Sequence, residues 1–303
     1  MNNIFDTIII GGGPAGYTAA LYAARAGLNT LIIERMSIGG QMTLTGDIEN
    51  YPGFDEGIDG ITLGMKMQNG AERFGAKTVY DEVTKVDFSE EIKKVATFGG
   101  EYFAKTVIIA VGANPKALGL ENEEKFTGRG IHYCAHCDGR FYKGKTVAVV
   151  GGGNSAAADA LYLSRLAGKV YLIHRRDTLR ATKIYHEPLL KAENIEFLWN
   201  STVEALNGEN KLSSLKINTQ GQTKDLTLDG VFVSIGRQPA TDFLKGVLPL
   251  DNQGYIIAGE DTKTEIDGVF VAGDVRTKNL RQVVTATADG AVAASAAEEY
   301  LSK

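Results

Sequence analysis

The stretch Asp6-Thr-Ile-Ile-Ile-Gly11-Gly-Gly13-Pro14-Ala15-Gly16 decides the fold of the first part of this chain. Its apolar, β-branched half is typical of a strand that is buried on both faces. The Ala-rich segment after it predicts a helix over residues 17–26 that ends at Gly27. A second apolar strand follows and ends at Glu34. We therefore predict a βαβ unit in which the glycines form the turn between strand and helix.

This glycine turn has the pattern of a dinucleotide-binding site of the Rossmann type. Gly11 permits the tight turn, Gly13 lets backbone N–H groups meet a pyrophosphate, and Gly16 lets the helix pack on the strand. The helix N-terminus adds partial positive charge, and the acid about 20 residues on suits a free ribose hydroxyl, which favours FAD or NAD. A glycine turn without a ligand is the alternative. The residues predicted to bind are Gly11, Gly13, Pro14, Ala15, Gly16 and Glu34.

A second copy of the pattern begins at Gly151, after an apolar strand and before a helix that reaches about Leu166. At the position of Glu34 this copy has His174, followed by three arginines. Basic side chains at this point can pair with a 2′-phosphate, which favours NADPH, and a solvated basic strand end is the alternative. The residues predicted to bind the second nucleotide are Gly151, Gly153, Asn154, Ser155, Ala156, His174, Arg175, Arg176 and Arg180.

The repeat predicts an α/β protein with two Rossmann-like nucleotide-binding domains, each with a small antiparallel β element. Each copy closes with an apolar strand that ends in glycine, at Gly112 and at Gly236. The chain crosses between the domains near Pro115 and Pro239, and its last segment returns to the first domain. We therefore predict a discontinuous first domain, residues 1–113 and 241–303, with the second domain, residues 114–240, inserted into it.

The bulk composition is that of an ordinary globular protein of two domains. The chain has 303 residues, of which 44% are hydrophobic and 23% charged, and its net charge is −5. The negative charge argues against nucleic acid or an acidic membrane as partner. No apolar run has the ~20 residues that span a bilayer, and the N-terminus reads as a strand and not as a signal peptide. We expect a cytoplasmic protein with no membrane segment.

The only two cysteines of the chain, Cys134 and Cys137, stand in a CxxC arrangement followed by Asp138. Two thiols at this spacing can close a disulfide, and the acid beside them can move a proton as a thiolate forms. Half a zinc site is the alternative, but there is no second cysteine pair and the four histidines do not cluster at ligand spacing, so we predict no metal. A structural disulfide of so small a loop would add little stability. We predict redox chemistry carried by the second domain.

With two glycine turns and a CxxC followed by an acid, the chain resembles the low-molecular-weight thioredoxin reductases. The residues that carry the resemblance run in order over nearly the whole chain: 11–16, Glu34, 39–41, 49–53, 134–139, 151–156, 174–176, Arg180, 273–274 and 281–282. The resemblance implies FAD in the first domain, NADPH in the second, a homodimer, and thioredoxin as electron acceptor. It also implies that Cys137 faces the flavin, that Cys134 attacks thioredoxin, and that Asp138 donates the proton.

The resemblance extends the first nucleotide site beyond the glycine turn. The loop of residues 37–54 has the composition of a ligand-lining loop. Near the C-terminus, Asp274 suits a sugar-like chain, and the N–H groups at the start of the last helix suit an anionic ring system. The additional residues predicted to bind FAD are Gly40, Gln41, Asn50, Gly112, Gly273, Asp274, Arg281, Gln282 and Val283.

The chain departs from the family pattern at two places. His136 stands between the cysteines, where members often have Thr or Val, and Ala158-Asp159 stands where many have two glutamates. The second departure leaves the placement of the nicotinamide open. The alternative functions are a related reductase that serves another carrier or electron donor, peroxidase-linked or ferredoxin-fed, a small-molecule dithiol oxidase, or a redox sensor without turnover.

The position of the CxxC predicts that the two domains move relative to each other during the reaction. The cysteines lie in the same predicted domain as the second glycine turn, while the flavin belongs to the other domain. Disulfide and nicotinamide cannot both contact one ring face in a single pose. We therefore expect the domains to rotate about residues 112–115 and 237–239 between half-reactions.

Overall fold

In the computed structural model, residues 4–35, 38–44 and 48–303 are described. The contacts within the chain divide it into two compact units. Unit 1 comprises residues 1–114 and 238–303, and unit 2 comprises residues 115–237. The two connections between the units are short strands, Ala113–Pro115 and Arg237–Pro239, which pair with each other in a two-stranded sheet.

The elements alternate along the chain as an α/β protein requires. The strands are β1 (Ile4–Ile10), β2 (Thr30–Glu34), β3 (Lys77–Tyr80), β4 (Val83–Asp87), β5 (Lys93–Thr97), β6 (Glu101–Ile109), β7 (Ala113–Pro115), β8 (Ile131–His132), β9 (Thr146–Val150), β10 (Lys169–Ile173), β11 (Ile195–Leu198), β12 (Ser201–Gly208), β13 (Leu212–Thr219), β14 (Gln222–Thr227), β15 (Gly230–Val233), β16 (Arg237–Pro239) and β17 (Val269–Val271). The α-helices are α1 (Pro14–Arg25), α2 (Gly60–Glu72), α3 (Glu123–Phe126), α4 (Ala135–Asp138), α5 (Asn154–Ser164), α6 (His186–Lys191) and α7 (Val283–Leu301).

Unit 1 is built on a sheet whose central strands are parallel, in the order β3-β2-β1-β6, with β17 pairing β6. The other end of β6 pairs with β5, which pairs with β4, and this part of the sheet is antiparallel. Ile9, Ile32 and Ile108 are fully buried in the core of this sheet. Helices α1 and α7 approach each other closely because Gly290 faces Ala15, where a Cβ would collide with the Ala15 carbonyl.

Unit 2 has a five-stranded parallel sheet in the order β11-β10-β9-β15-β8. Its core includes Val149, Leu172 and Phe232, all with no exposed surface, and α5 packs on this core through alanines. A separate three-stranded antiparallel sheet, β12-β13-β14, follows β11 in the chain. The α/β prediction with two Rossmann-like halves and antiparallel additions is therefore confirmed.

Two helix starts differ from the sequence prediction by a few residues. Helix α1 begins at Pro14, because proline is well suited to the first turn, where its missing N–H would have no helical partner. The last helix, which the sequence predicts from Arg281 onward, begins at Val283, because Gln282 caps it in a capping box with Thr285. In the described ranges, no helix combines the length and apolarity that crossing a membrane requires.

Candidate functional site

The glycine turn of unit 1 is fixed by contacts within the chain at two of its glycines. Gly11 has φ +107°, which favours glycine, and a Cβ there would collide with the Ala110 carbonyl. Gly16 lies against the turn itself, so a Cβ there would collide with the Gly11 carbonyl. These contacts hold the first turn of α1 directly beyond the end of β1, as the strand-turn-helix pattern predicts.

Gly13 and its counterpart Gly153 in unit 2 have no such reason to be glycine. Their φ and ψ angles are −83° and −172° for Gly13 and −93° and −176° for Gly153, which any residue adopts. No atom of the described chain lies within 4 Å of the Cβ that an alanine would place at either position. The open space lies at the start of α1 and of α5, where backbone N–H groups bind phosphate. The turns therefore fit the pyrophosphates of FAD and NADPH.

Glu34 lies at the turn of unit 1, where its sequence position predicted it. Its Oε2 accepts a hydrogen bond from the Gly12 N–H at 2.6 Å. The loop after β2 returns to the same place, since the Gly39 N–H donates to the Gly12 carbonyl at 2.9 Å and Gly40 lies next to Gly13. Gln41 then donates from Nε2 to Asn114 Oδ1 at 2.7 Å, and Asn114 stands two residues after Gly112 in the chain. Of the predicted loop 37–54, residues 37 and 45–47 lie outside the described residues.

The remaining predicted FAD residues come together at the start of α7 and after β17. Asn50 donates from Nδ2 to Gln282 Oε1 at 3.0 Å, and Val283 is the first residue of the helix. Gly273, followed by Asp274, lies against Ala15 of α1, so the end of β17 meets the glycine turn. The predicted set is thus brought together at one end of the sheet, apart from Arg281, whose guanidinium lies 4.2 Å from the centre of the Tyr255 ring.

A buried group of charges supports Gly273, and the sequence reading missed it. Asp289 Oδ2 accepts from the Gly273 N–H at 2.9 Å, from Arg276 Nε at 2.8 Å and from Lys278 Nζ at 2.8 Å. Burial alone would raise the pKa of Asp289, but the hydrogen bonds from Arg276, Lys278 and Gly273 outweigh it and hold that pKa below its usual value. The signal in the sequence was the two cations within four residues of Asp274 and the acid Asp289 in the Ala-rich first half of the last helix.

The glycine turn of unit 2 repeats that of unit 1 with different partners. A Cβ at Gly151 would collide with the Ser234 carbonyl at the end of β15. The Gly152 carbonyl accepts from the N–H groups of Arg180 and Ala181, at 2.7 and 3.1 Å. Asn154, the first residue of α5, accepts at Oδ1 from the Thr182 N–H at 2.8 Å. The arginine-bearing loop is thereby tied to the turn, as the predicted NADPH site requires.

His174 differs from the three arginines with which it was grouped. Its ring is 4% exposed and lies against Gly152, where any Cβ would collide with it. Burial, followed by the positive charge of Arg180, lowers the pKa of His174, so it brings no charge to a phosphate at neutral pH. Arg175, Arg176 and Arg180 are exposed. His174 therefore supports the turn through its contact with Gly152, while the contacts of His174 and of the three arginines with the second nucleotide stay predictions.

The two cysteines form a disulfide at the start of the one-turn helix α4. The Cα atoms of Cys134 and Cys137 are 5.3 Å apart, and the N–H groups of Cys137 and Asp138 both donate to the Cys134 carbonyl. Both cysteines are partly exposed, whereas Asp138 is buried. Asp138 contacts His132, and His132 contacts Tyr142, neither of which the sequence reading included. The pair therefore has the accessibility that thiol exchange needs and a buried acid directly behind it.

The two departures from the family pattern contact each other. His136 stacks on Tyr162 of α5, with ring centres 4.2 Å apart, and its Nδ1 lies 3.9 Å from Asp159 Oδ1. Ser234 Oγ donates to Asp159 Oδ2 at 2.5 Å. Burial raises the pKa of Asp159, while Ser234, His136 and Arg237 act against that rise. The histidine between the cysteines is therefore part of the surface of the helix that follows the second glycine turn.

Known proteins match this chain over nearly its whole length. The family model described as pyridine nucleotide-disulphide oxidoreductase matches residues 5–290. A thioredoxin reductase of Listeria innocua is 46% identical over 301 residues, which are 98% of this chain and 94% of that protein. The solved thioredoxin reductase of Streptococcus pyogenes is 45% identical with a TM-score of 0.92, over 100% of this chain and 99% of that one. That of Lactococcus lactis, in the FR conformation, is 40% identical with a TM-score of 0.71, over 98% and 99%.

Proposed function

Because the chain belongs to the pyridine nucleotide-disulphide oxidoreductase family, we propose that it is a thioredoxin-disulfide reductase that carries electrons from NADPH through FAD to thioredoxin. The resemblance drawn from its residues is confirmed by these relatives. The observation that carries the proposal is the partly exposed Cys134–Cys137 disulfide, with Asp138 behind it, in the same unit as the second glycine turn. A disulfide so placed is a reaction centre and not a cross-link between distant parts of the fold.

We propose that unit 1 holds FAD and unit 2 holds NADPH. FAD, when bound, takes up two electrons from NADPH and releases them to a disulfide. In unit 1 the open space at Gly13 receives the pyrophosphate, Glu34 the ribose, and Asp274 with the start of α7 the rest of the cofactor. In unit 2 the space at Gly153 receives the pyrophosphate of NADPH, and the exposed arginines bind its 2′-phosphate.

The chemistry of the chain itself is thiol–disulfide exchange. Once the Cys134–Cys137 bond has been reduced, the thiolate of Cys134 attacks one sulfur of the thioredoxin disulfide and forms a mixed disulfide. Cys137 then attacks Cys134, which releases dithiol thioredoxin and restores the internal disulfide. Asp138 gives and takes the proton at the sulfur beside it. These roles follow the family, and the short helix α4 places the three side chains within one turn.

We further propose that the units rotate about the paired connections β7 and β16 between the two half-reactions. The whole-chain TM-scores of the two solved relatives, 0.92 and 0.71 at 45% and 40% identity, differ more than their identities do, which a rotation would explain. Joining the units with a cleavable lysine cross-linker should lower thioredoxin turnover at least about tenfold, and cleavage of the linker should restore it. Undiminished turnover of the joined enzyme would exclude rotation.

The absorbance spectrum of the purified protein, titrated with NADPH and then with oxidised thioredoxin, tests the proposed function. We expect a flavin spectrum that bleaches on addition of NADPH and returns on addition of thioredoxin. A protein without flavin, or one whose spectrum returns with oxygen but not with thioredoxin, would contradict it. The second result would favour the dithiol oxidase.

Replacing Arg175 and Arg176 together by alanine should raise the KM for NADPH roughly tenfold, because each charge-assisted hydrogen bond contributes about 1.5–3 kcal/mol, less where the group is exposed. The KM for NADH should change less than about twofold, since NADH has no 2′-phosphate. Steady-state kinetics with both nucleotides measures the difference. Arg165→Ala, an exposed arginine at the end of α5, is the matched control. Equal losses for both nucleotides would contradict the role in phosphate binding.

A homodimer and a cytoplasmic location are also proposed. Large apolar side chains are exposed on the neighbouring helices α1 and α2 of unit 1, at Tyr22, Ile61 and Met65, with exposures of 51%, 58% and 49%. Exposed large apolar side chains on neighbouring helices are typical of protein interfaces. Light scattering after size-exclusion chromatography should give twice the chain mass of 32.5 kDa, and cell fractionation tests the location.

A further inference from the structure

Three buried polar side chains of unit 2 form a continuous hydrogen-bonded chain that begins beside the disulfide. His132 Nδ1 lies 3.0 Å from Asp138 Oδ2, and His132 Nε2 lies 2.7 Å from Tyr142 Oη. The side chains of His132 and Asp138 are each 7% exposed. The N–H of Asp138 donates to the Cys134 carbonyl at 3.1 Å. The hydrogen-bonded side chains therefore lead from Asp138, the residue after Cys137, to Tyr142.

The rings of this chain are held in place by packing. Phe232 of β15 stacks on His132 with ring centres 5.3 Å apart, and Tyr142 meets both rings edge-on. Gly230 lies so close to Tyr142 that a Cβ there would collide with the phenol ring. Side chains locked in this way hold a functional geometry without further ordering. The hydrogen bonds from Asp138 to Tyr142 are thus preorganised.

Stability alone does not account for the arrangement. A buried pair of ionisable groups is often no better for stability than apolar residues of the same volume, because both groups lose their hydration. The same pair is useful to chemistry, because a neutral histidine and a carboxylic acid in contact share a proton that either can hold. Because Asp138 directly follows Cys137, the pair stands where a reacting sulfur needs a proton.

We propose that His132 is a positioning residue of the thiol step, which holds with Asp138 the proton that the departing sulfur takes up. The inference rests on the proposed function. Two electrons from NADPH, delivered by way of FAD, break the S–S bond and leave one thiol and one thiolate. The proton that the pair shares goes to the sulfur that becomes the thiol: it passes from His132 Nδ1 to Asp138 Oδ2, and Asp138 gives it to that sulfur. Asp138 is left a carboxylate, and His132 is left neutral with its remaining proton on Nε2, whose N–H donates to the Tyr142 hydroxyl oxygen.

Two further polar groups lie near the pair, the Tyr142 hydroxyl and the Lys145 ammonium. Burial, and then the charges of Asp138 and Asp229, raise the pKa of Tyr142 to about 12, so its hydroxyl stays protonated. Lys145 Nζ lies 5.4 Å from the centre of the Tyr142 ring, and Phe232, which stacks on His132, carries no charge. The proton that the sulfur takes up therefore comes from the Asp138–His132 pair and not from Tyr142.

His132→Asn tests the inference, because an amide keeps a donor for Asp138 and cannot titrate. The first measurement is the rate at which iodoacetamide alkylates the dithiol of the reduced holoenzyme, as a function of pH. The wild-type profile should depart from the single inflection of an isolated thiol, because the sulfur exchanges its proton with the Asp138–His132 pair. His132→Asn should change the shape of this profile, and His186→Asn, a histidine of the same unit that contacts the Ala181 carbonyl, should leave it as in the wild type.

The second measurement is the rate of oxidation of the reduced enzyme by a bacterial thioredoxin in its disulfide form, by rapid mixing. His132→Asn should react about tenfold more slowly than the wild type at pH 8 and within about twofold of it at pH 6, where the solvent supplies protons more readily. Asp138→Asn should be slow at both pH values. Reduction of the flavin by NADPH should be unchanged in both variants.

Profiles of the same shape for the wild type and His132→Asn, in either measurement, would overturn the inference and leave His132 a purely structural residue. Tyr142→Phe, which removes the hydroxyl that contacts His132 Nε2, should change the profile in the same direction as His132→Asn by a smaller amount, and if His132→Asn folds poorly a wild-type profile for Tyr142→Phe would overturn the inference. If the wild type fails to oxidise with thioredoxin, the proposed function is lost, and the alkylation profile alone then decides the role of His132.

Discussion

Replacing Cys134 or Cys137 by serine should reduce thioredoxin turnover at least about 10³-fold while leaving FAD binding and flavin reduction by NADPH intact. Serine has nearly the volume of cysteine, and both cysteines are partly exposed, so the fold of unit 2 tolerates it. Exchange requires a thiolate, however, and a serine hydroxyl does not replace one at neutral pH. Each variant should therefore stop after the first half-reaction.

The two variants should differ in one respect that assigns the sulfurs. Cys137→Ser retains the cysteine proposed to attack thioredoxin, so it should form a covalent complex with a single-cysteine thioredoxin activated by thionitrobenzoate. Cys134→Ser should release thionitrobenzoate at least about tenfold more slowly. Mass spectrometry of the intact complex detects the covalent product, and the absorbance of the released thionitrobenzoate measures the rate of its release. The opposite order would exchange the roles of the cysteines, and full turnover by either variant would remove the disulfide from the mechanism.

The sequence was informative wherever a site is set by local spacing. Strand, glycine turn, helix and second strand follow one another within about 30 residues, so the two nucleotide turns and the elements around Gly11 and Gly151 could be predicted. The CxxC likewise lies within one helical turn. Such patterns need no knowledge of what packs against them, because the backbone geometry of the turn already imposes the residue types.

Side chains that are brought together by packing were not predictable in this way. His132 and Tyr142 meet Asp138 because β8 and a short 3-10 helix lie on either side of α4, and no motif marks either residue. The orientation of the His174 ring was not predictable for a related reason. Its sequence position matches that of Glu34, but the absence of a side chain at Gly152 lets the larger ring turn inward beneath the loop, where burial disfavours its charge. Register predicts the place of a residue, and packing decides where its side chain points.

Gly13→Ala and Gly153→Ala should each lose one nucleotide without loss of the fold. A methyl group at either position meets no atom of the chain within 4 Å and requires no unusual φ, so apo stability should change by less than about 1 kcal/mol. If a pyrophosphate lies in that space, the methyl overpacks it at a cost of about 1–3 kcal/mol, or up to about 100-fold in affinity. Gly13→Ala should weaken FAD and Gly153→Ala should weaken NADPH.

The ratio of flavin to protein absorbance measures the loss of FAD in Gly13→Ala, and titration calorimetry measures the loss of NADPH affinity in Gly153→Ala. Urea unfolding of the apoprotein measures the stability of both variants. Gly70→Ala is the matched control, since it is a glycine in α2 with equally open surroundings and no predicted ligand. Gly16→Ala is the opposite case, because its Cβ would collide with the turn itself and should cost stability before any nucleotide binds. Full FAD content in Gly13→Ala would mean that the space at the start of α1 is not where the pyrophosphate lies. Because Gly13 and Gly153 belong to different units, loss of both nucleotides in one variant would mean that the sites are not assigned one to each unit.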